Sequence, residues 1–106
     1  MSKHLSTQTL FCRRFKEARL RAGIAQDRLG VLMGLDEGSS SARISRYETG
    51  IHEPPFAIIE QMANILQVPT AYFFCEDDKF AQIMLAYFSA SKSARQAMFD
   101  SMTGPN

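Results

Sequence analysis

The sequence lacks several features on which whole classes of proteins depend. Its 106 residues include no tryptophan, two cysteines and two histidines, and the net charge is +1. No stretch approaches the roughly 18 consecutive apolar residues that a membrane-spanning helix needs. The N-terminal stretch MSKHLSTQTLFCRR lacks the apolar segment of a secretory signal. We therefore expect a cytoplasmic protein without a membrane segment.

The few residues that could carry catalysis or bind a metal are scattered. Cys12 and Cys75 lie far apart in the sequence and match no zinc or redox spacing, so in a reducing compartment both are expected to act as small apolar residues. Catalysis needs a nucleophile beside a base, convergent carboxylates or metal ligands. The pattern contains none of these, and it predicts a protein with no enzymatic activity, no metal and no cofactor.

Positive charge is concentrated in the first half of the chain. Residues 1–53 contain nine Lys or Arg against six Asp or Glu, whereas residues 54–106 contain three against five. A surplus of this size is common on solvated surfaces, so it decides little by itself. Its direction favours a nucleic-acid-facing surface in the first half and a second half that faces away from it.

Apolar residues recur at helical spacing in five to seven short segments, and no segment alternates in the manner of a strand. The first helix is expected over residues 7–22, with Phe11, Phe15 and Ala18 facing inward and Arg13 and Arg14 on the solvated face. The later segments give a similar pattern, and the aromatic residues 72–74 are expected in the core. The sequence therefore predicts an all-α fold without internal repeats.

Two short helices in the first half have the pattern of a DNA-reading pair. The first is expected from Gln26 to Met33, and the second runs from a cap at Ser40 or Ser41 to Thr49. If one stripe of the second helix is buried, its opposite face of small and basic residues remains free. Such a face fits a major groove, where the guanidinium group of arginine can form two hydrogen bonds with guanine. The alternative is an ordinary solvated helix face. The predicted free face comprises Ser41, Ala42, Arg43, Ser45 and Arg46.

Residues 11–74 resemble the Cro and phage-repressor type of helix-turn-helix protein, the XRE family. The resemblance lies in the segments FKEARLRAGIAQDRL, ISRYETG, IHEPP and FAIIEQMANILQVPTAYFF. It implies a lambda-repressor-like, five-helix DNA-binding domain over residues 7–75. Apolar residues at helical spacing further predict a C-terminal helical hairpin over residues 76–103, which we expect to be the dimerisation segment. The resemblance also implies a sequence-specific transcriptional regulator, a repressor that binds double-stranded DNA at a palindromic operator as a homodimer.

The same resemblance assigns roles to individual residues. It implies that Gln26, at the start of the second helix, contacts a phosphate, and that Arg19 and Glu48 form a buried ion pair between the first and third helices. The base-reading positions fall on Ser41, Ala42 and Arg46, with Arg43 and Ser45 beside them. Contacts to the DNA backbone after the recognition helix fall near Thr49 and His52.

The chain departs from the family between the two helices of the motif. Ile44 follows Gly34 by ten positions, where relatives have six, and the segment LDEGSSS is rich in turn-forming residues. We therefore expect a turn lengthened by about four residues, which would alter the angle at which the recognition helix enters the groove.

Two alternatives to this interpretation remain open at the level of sequence. Residues 76–103 could close the core of the monomer. They could instead form a dimer interface, because methionine and aromatic residues are enriched at such surfaces. The domain could also be a protein-interaction module, such as an antitoxin, adaptor or anti-repressor. That reading is supported by the acidic pair Asp36–Glu37 and by apolar Val31 and Leu32.

Overall fold

A computed structural model describes residues 6–104, and within that range every regular element is helical. The predicted all-α fold is therefore confirmed. None of the helices in these residues is long and apolar enough to span a membrane. The elements in chain order are α1 (Thr7–Ala22), α2 (Gln26–Leu32), α3 (Glu37–Thr49), α4 (Phe56–Leu66), a 3-10 helix (Thr70–Phe74), α5 (Asp78–Ser89) and α6 (Lys92–Thr103).

Local chemistry explains where several of these helices begin and end. Ser6 accepts a hydrogen bond from the backbone N–H of Thr9 at 3.1 Å and so caps α1, and Asp77 caps α5 through Phe80 at 2.9 Å. Gly23 and Gly50 follow α1 and α3 with φ of 71° and 83°, a left-handed conformation that favours glycine. The ends of α1 and α3 therefore match the sequence pattern.

The core joins α1, α4 and the 3-10 helix around a group of aromatic rings. The ring of Phe73 lies 5.3 Å from Phe11 and 6.3 Å from Phe15, in edge-on geometry in both cases. Met62 and Leu66 of α4 complete the cluster and are fully buried or nearly so. Phe74 was expected in this core, but it lies at its edge: its ring is 6.1 Å from that of Phe11 and it is 37% exposed.

The start of α3 differs from the sequence prediction. The helix begins at Glu37 rather than at Ser40 or Ser41, so the excess residues lengthen the helix and not the turn. Four residues are close to one turn of α-helix, and the extension therefore keeps the buried stripe Ser40, Ile44 and Tyr47 on one face. Ser40 is fully buried against α2, where its Oγ donates to the carbonyl of Asp27.

The side chain of Arg14 was also placed wrongly by the sequence analysis. It is only 2% exposed, whereas Arg13 beside it is exposed as expected. Its position follows from helix geometry, because a residue three after Phe11 and four before Ala18 shares their inward face. The charge can be buried there because backbone carbonyls and carboxylates surround it.

The hairpin formed by α5 and α6 projects from the rest of the molecule. The radius of gyration is 15.6 Å, against about 13 Å for a compact chain of this length. Ala81 and Leu85 of α5 are buried, but α6 contributes no buried residue. Arg95 ties α6 to the end of α5 by donating to the carbonyl of Tyr87 at 2.9 Å.

The close approach of α2 and α3 predicts a contrast between two glycines. A Cβ on Gly30 would lie 3.0 Å from the Ser40 Cα and closer still to its Oγ, whereas a Cβ on Gly38 would meet no atom within 4 Å. We expect Gly30→Ala to lower the free energy of unfolding by about 1–3 kcal/mol through overpacking. Gly38→Ala should be neutral or raise it by up to about 1 kcal/mol. Urea denaturation measures both, and equal effects would contradict the proposed packing.

Candidate nucleic-acid interface

Helix α3 presents one long face to solvent. Its 13 residues span about 20 Å at 1.5 Å per residue. The face opposite the buried stripe carries small side chains at positions 38, 42, 45 and 49, in a row that follows the helix axis. Gly38, Ala42 and Thr49 are exposed and Ser45 is half-buried. A row of small residues allows the backbone of the helix to approach a surface closely.

Two arginines lie on one flank of this small-residue row. Ser39, Arg43 and Arg46 recur at intervals of four and three residues, so they share a side of the helix. All three are exposed. Among the described residues, neither guanidinium group has a hydrogen-bond or ion-pair partner, and both are therefore available to a ligand.

A buried ion pair fixes α3 to α1. Arg19 Nε donates to Glu48 Oε2, and Arg19 Nη2 lies 3.3 Å from Glu48 Oε1. The two side chains are 9% and 5% exposed. Arg19 Nη1 also donates to the carbonyl of Ile24 at 2.9 Å, which ties the connection before α2 to the same group.

Gln26 extends this polar network to the outer surface. Its Nε2 donates to Glu48 Oε1 at 3.1 Å, and its Oε1 accepts from the hydroxyl of Ser41 at 3.4 Å. The side chain is half-buried at the start of α2 and is thus oriented by both contacts. The network brings Gln26 and Ser41 together, so the start of α2 and the solvent-exposed face of α3 form one surface.

Thr49 and His52 lie at the far end of this surface. The Thr49 hydroxyl donates to the carbonyl of Ser45 at 2.9 Å, which leaves its oxygen free only as an acceptor. His52 is exposed in the loop after Gly50, and its backbone N–H donates to the carbonyl of Arg46 at 3.2 Å. Thr49 is thus the last residue of α3 and His52 lies in the loop that follows, and both are outside the group that joins Gln26 to Ser41.

The sequence analysis missed the first turn of α3. Glu37, Gly38 and Ser39 are exposed helical residues, and they lengthen the surface beyond the predicted Ser41. The available signal was the size of the insertion, because an excess of four residues is close to one helical turn. Acidic residues at positions 36 and 37 also suit a helix N-terminus, where the macrodipole favours negative charge.

Cys12 lies under the C-terminal end of α3 and is a poor nucleophile. Its Sγ donates to the carbonyl of Tyr47 at 3.3 Å. Burial raises the pKa of the thiol above its ordinary value; the charge of Glu48 adds to this effect, while a backbone hydrogen bond opposes it. The protonated thiol fits a packing role.

Comparisons with known proteins agree with this geometry. A family model described as a helix-turn-helix domain matches residues 10–71. The chain is also similar to the crystal structure of the transcriptional regulator BswR, with 39% sequence identity over 87% of this chain and 91% of that one, and a TM-score of 0.83. No curated protein sequence matches the chain.

The buried ion pair predicts a large loss of stability when one partner is removed. Arg19→Gln leaves Glu48 buried without its cation, and we expect the free energy of unfolding to fall by about 3–5 kcal/mol. Arg13→Gln breaks an ion pair with Asp78 whose side chains are 40% and 75% exposed, so its cost should stay below about 1 kcal/mol. Chemical denaturation measures the free energy of unfolding of both variants. A small decrease for Arg19→Gln would be evidence against a stabilising role of the Arg19–Glu48 ion pair.

Proposed function

The chain belongs to the helix-turn-helix family of DNA-binding regulators, and on that premise we propose that it is a cytoplasmic repressor that binds a palindromic operator as a homodimer. The observation that carries the proposal is the outer face of α3. It combines a row of small side chains with two arginines whose guanidinium groups have no partner among the described residues, on a helix that the Arg19–Glu48 ion pair joins to α1.

This face suits recognition of base edges in a major groove about 12 Å wide. Ala42 and Ser45 lie in the small-residue row and would allow the helix backbone close to the bases. Arg46 would supply a fork for the O6 and N7 atoms of guanine, the commonest specific contact. Arg43, with Thr49 and His52 further along, would contact bases or phosphates beside it.

Gln26 and Ser41 would contact DNA as a pair. The amide of Gln26 is oriented by Glu48 and by the Ser41 hydroxyl, and one of its two N–H groups remains free for a phosphate oxygen. Preorganisation of this kind lowers the entropy lost on binding. The Arg19–Glu48 ion pair, which positions Gln26, would thereby contribute to DNA affinity as well as to the stability of the fold.

The exposed apolar residues of the hairpin support a homodimer. Phe80, Ile83 and Tyr87 share one face of α5 and are 56%, 43% and 42% exposed, and Phe99 and Met102 of α6 are 54% and 67% exposed. A helix of 12 residues with no buried side chain is marginal in isolation. A second copy would cover this surface, and two-fold symmetry would then require a palindromic site.

Occupancy of an operator is the simplest route to repression for a chain of this size. Within the described residues the two helical parts are the DNA-binding body and the hairpin, which leaves the hairpin as the place for assembly or control. A dimer would place two α3 helices about 34–36 Å apart, one turn of DNA or a multiple of it.

The arginine on the reading face predicts a specific loss of binding. We expect Arg46→Ala to weaken binding to a selected operator by about 1–3 kcal/mol and to relax specificity at one base position, because a bidentate contact is lost. Lys92→Ala removes the same charge from α6 and should leave base preference unchanged. Selection from random DNA followed by titration measures both effects, and an unaltered preference for Arg46→Ala would exclude it as a base reader.

The hairpin predicts which substitutions separate the protomers. Ile83→Glu places a charge in the exposed apolar face of α5 and should convert the dimer to monomers with intact helical content. Leu20→Glu alters an exposed apolar residue of α1, 60% accessible, and should leave the dimer intact. Sedimentation velocity distinguishes the outcomes, and a dimer that tolerates Ile83→Glu would rule out this face.

A further inference from the structure

Arg14 connects the DNA-binding body to the hairpin through an unusual number of bonds. Its Nε donates to the carbonyl of Cys75 at 2.8 Å, and its Nη2 donates to the carbonyl of Glu76 at 3.4 Å. The same Nη2 lies 2.9 Å from Asp78 Oδ1, and Nη1 lies 3.0 Å from Glu17 Oε1. One guanidinium group is thus shared between α1 and the connection to α5.

The acceptors outside α1 lie within four consecutive residues. Residues 75–77 link the 3-10 helix to α5, and Asp78 is the first residue of α5. Arg13 adds an exposed bond to the same Asp78 carboxylate at 3.0 Å. Further along α5 the attachment includes buried Ala81 and Leu85, partly buried Met84, and a long contact from Arg21 to the hydroxyl of Ser89 at 3.5 Å.

The planar guanidinium group of Arg14 is suited to holding the connection between α1 and the start of α5, here called the joint, in one geometry. Small apolar contacts such as Ala81 permit a helix to tilt or turn, whereas several hydrogen bonds from one rigid group fix a direction. The ring of Tyr72 lies 5.7 Å from the Arg14 Cζ, and its hydroxyl donates to Glu17 Oε1 at 3.3 Å. These contacts hold the guanidinium group in place from the other side.

The charge of Arg14 is permanent. Burial lowers the pKa of the guanidinium group, but its hydrogen bonds to Glu17 and Asp78 and their charges outweigh this effect, so the pKa lies above its ordinary value. The pKa of Tyr72 is raised by burial and by the charge of Glu17, which keeps its hydroxyl a neutral donor. Arg14 therefore stays a cation and Tyr72 a neutral donor across physiological pH.

We propose that Arg14 is a positioning residue that fixes the direction of α5 relative to the DNA-binding body, and that it thereby sets the spacing between half-sites that the dimer accepts. The second part rests on the proposed function, in which the hairpin forms the dimer. A tilt of about 10° displaces a point about 20 Å away by roughly one base-pair rise of 3.4 Å. Each base pair also rotates a half-site by about 36° around the DNA axis, so a loosened joint would have to allow both tilt and rotation. It would consequently narrow the difference in affinity between the preferred spacing and its neighbours.

Residual dipolar couplings of backbone amides test the joint without DNA. In the unaltered protein the couplings of α1 and α5 should fit one alignment tensor. Arg14→Lys keeps the charge but loses the fork, and Asp78→Ala removes an exposed acceptor without altering the core, so both should require a separate or reduced tensor for α5. Arg13→Gln, which loses only the exposed bond, should retain a single tensor.

A panel of operators tests the consequence for recognition. The selected half-sites are placed at the preferred spacing and at one and two base pairs more or less, with a single half-site as reference. Where the unaltered protein discriminates tenfold or more between spacings, we expect Arg14→Lys to discriminate less than about threefold. Affinity for the single half-site and the dimerisation constant should remain within about twofold.

The two measurements separate this proposal from the proposed function. A single tensor and unchanged spacing selectivity in both Arg14→Lys and Asp78→Ala would overturn it. If Arg14→Lys fails to fold, Asp78→Ala decides alone. If the unaltered protein binds no operator, the proposed function fails and the spacing claim fails with it, while the couplings still decide whether Arg14 fixes the hairpin.

Discussion

The orientation of the outer face of α3 depends on the buried ion pair between Arg19 and Glu48. Removing two charges from water is costly, and apolar residues of similar volume could stabilise the same contact as well or better. The pair adds a fixed relative orientation of the helices, because Arg19 also donates to the carbonyl of Ile24 and Glu48 also accepts from Gln26. One interaction therefore relates α1, the start of α2 and the outer face of α3.

The length of α3 shows where prediction from sequence stops. The motif and the end of the helix at Gly50 follow from the sequence, because glycine spacing and apolar periodicity are local signals. The start at Glu37 does not, since a segment rich in Ser and Gly has a local preference for turns. The burial of Ser40 against Gly30 overrides that preference. Such a contact between helices is tertiary, and a spacing argument cannot tell an inserted loop from an inserted turn of helix.

Arg14 and Phe74 illustrate the same limit from opposite directions. Residue type predicts an exposed arginine and a buried phenylalanine, yet Arg14 is 2% and Phe74 37% exposed. For Arg14 the helical periodicity already indicated an inward-facing side chain, because the residue lies on the same face as Phe11 and Ala18. What could not be read from sequence was the set of acceptors near residue 75, which only the folded chain brings to α1. Periodicity thus predicts which face of the helix a side chain occupies. Whether a charged side chain can be buried on that face depends on the acceptors and carboxylates that the fold places beside it.

The distribution of charge acquires a different meaning once these partners are known. The surplus of cations in the first half of the chain includes Arg14 and Arg19, whose charges are paired with carboxylates of the same chain. Paired charges contribute less to the attraction for phosphates than unpaired ones do. Arg43 and Arg46 have no such partner in the described residues, and both lie on α3. A chain with a net charge of +1 can therefore still present unpaired cations on α3, because part of its remaining positive charge is paired with carboxylates elsewhere in the molecule.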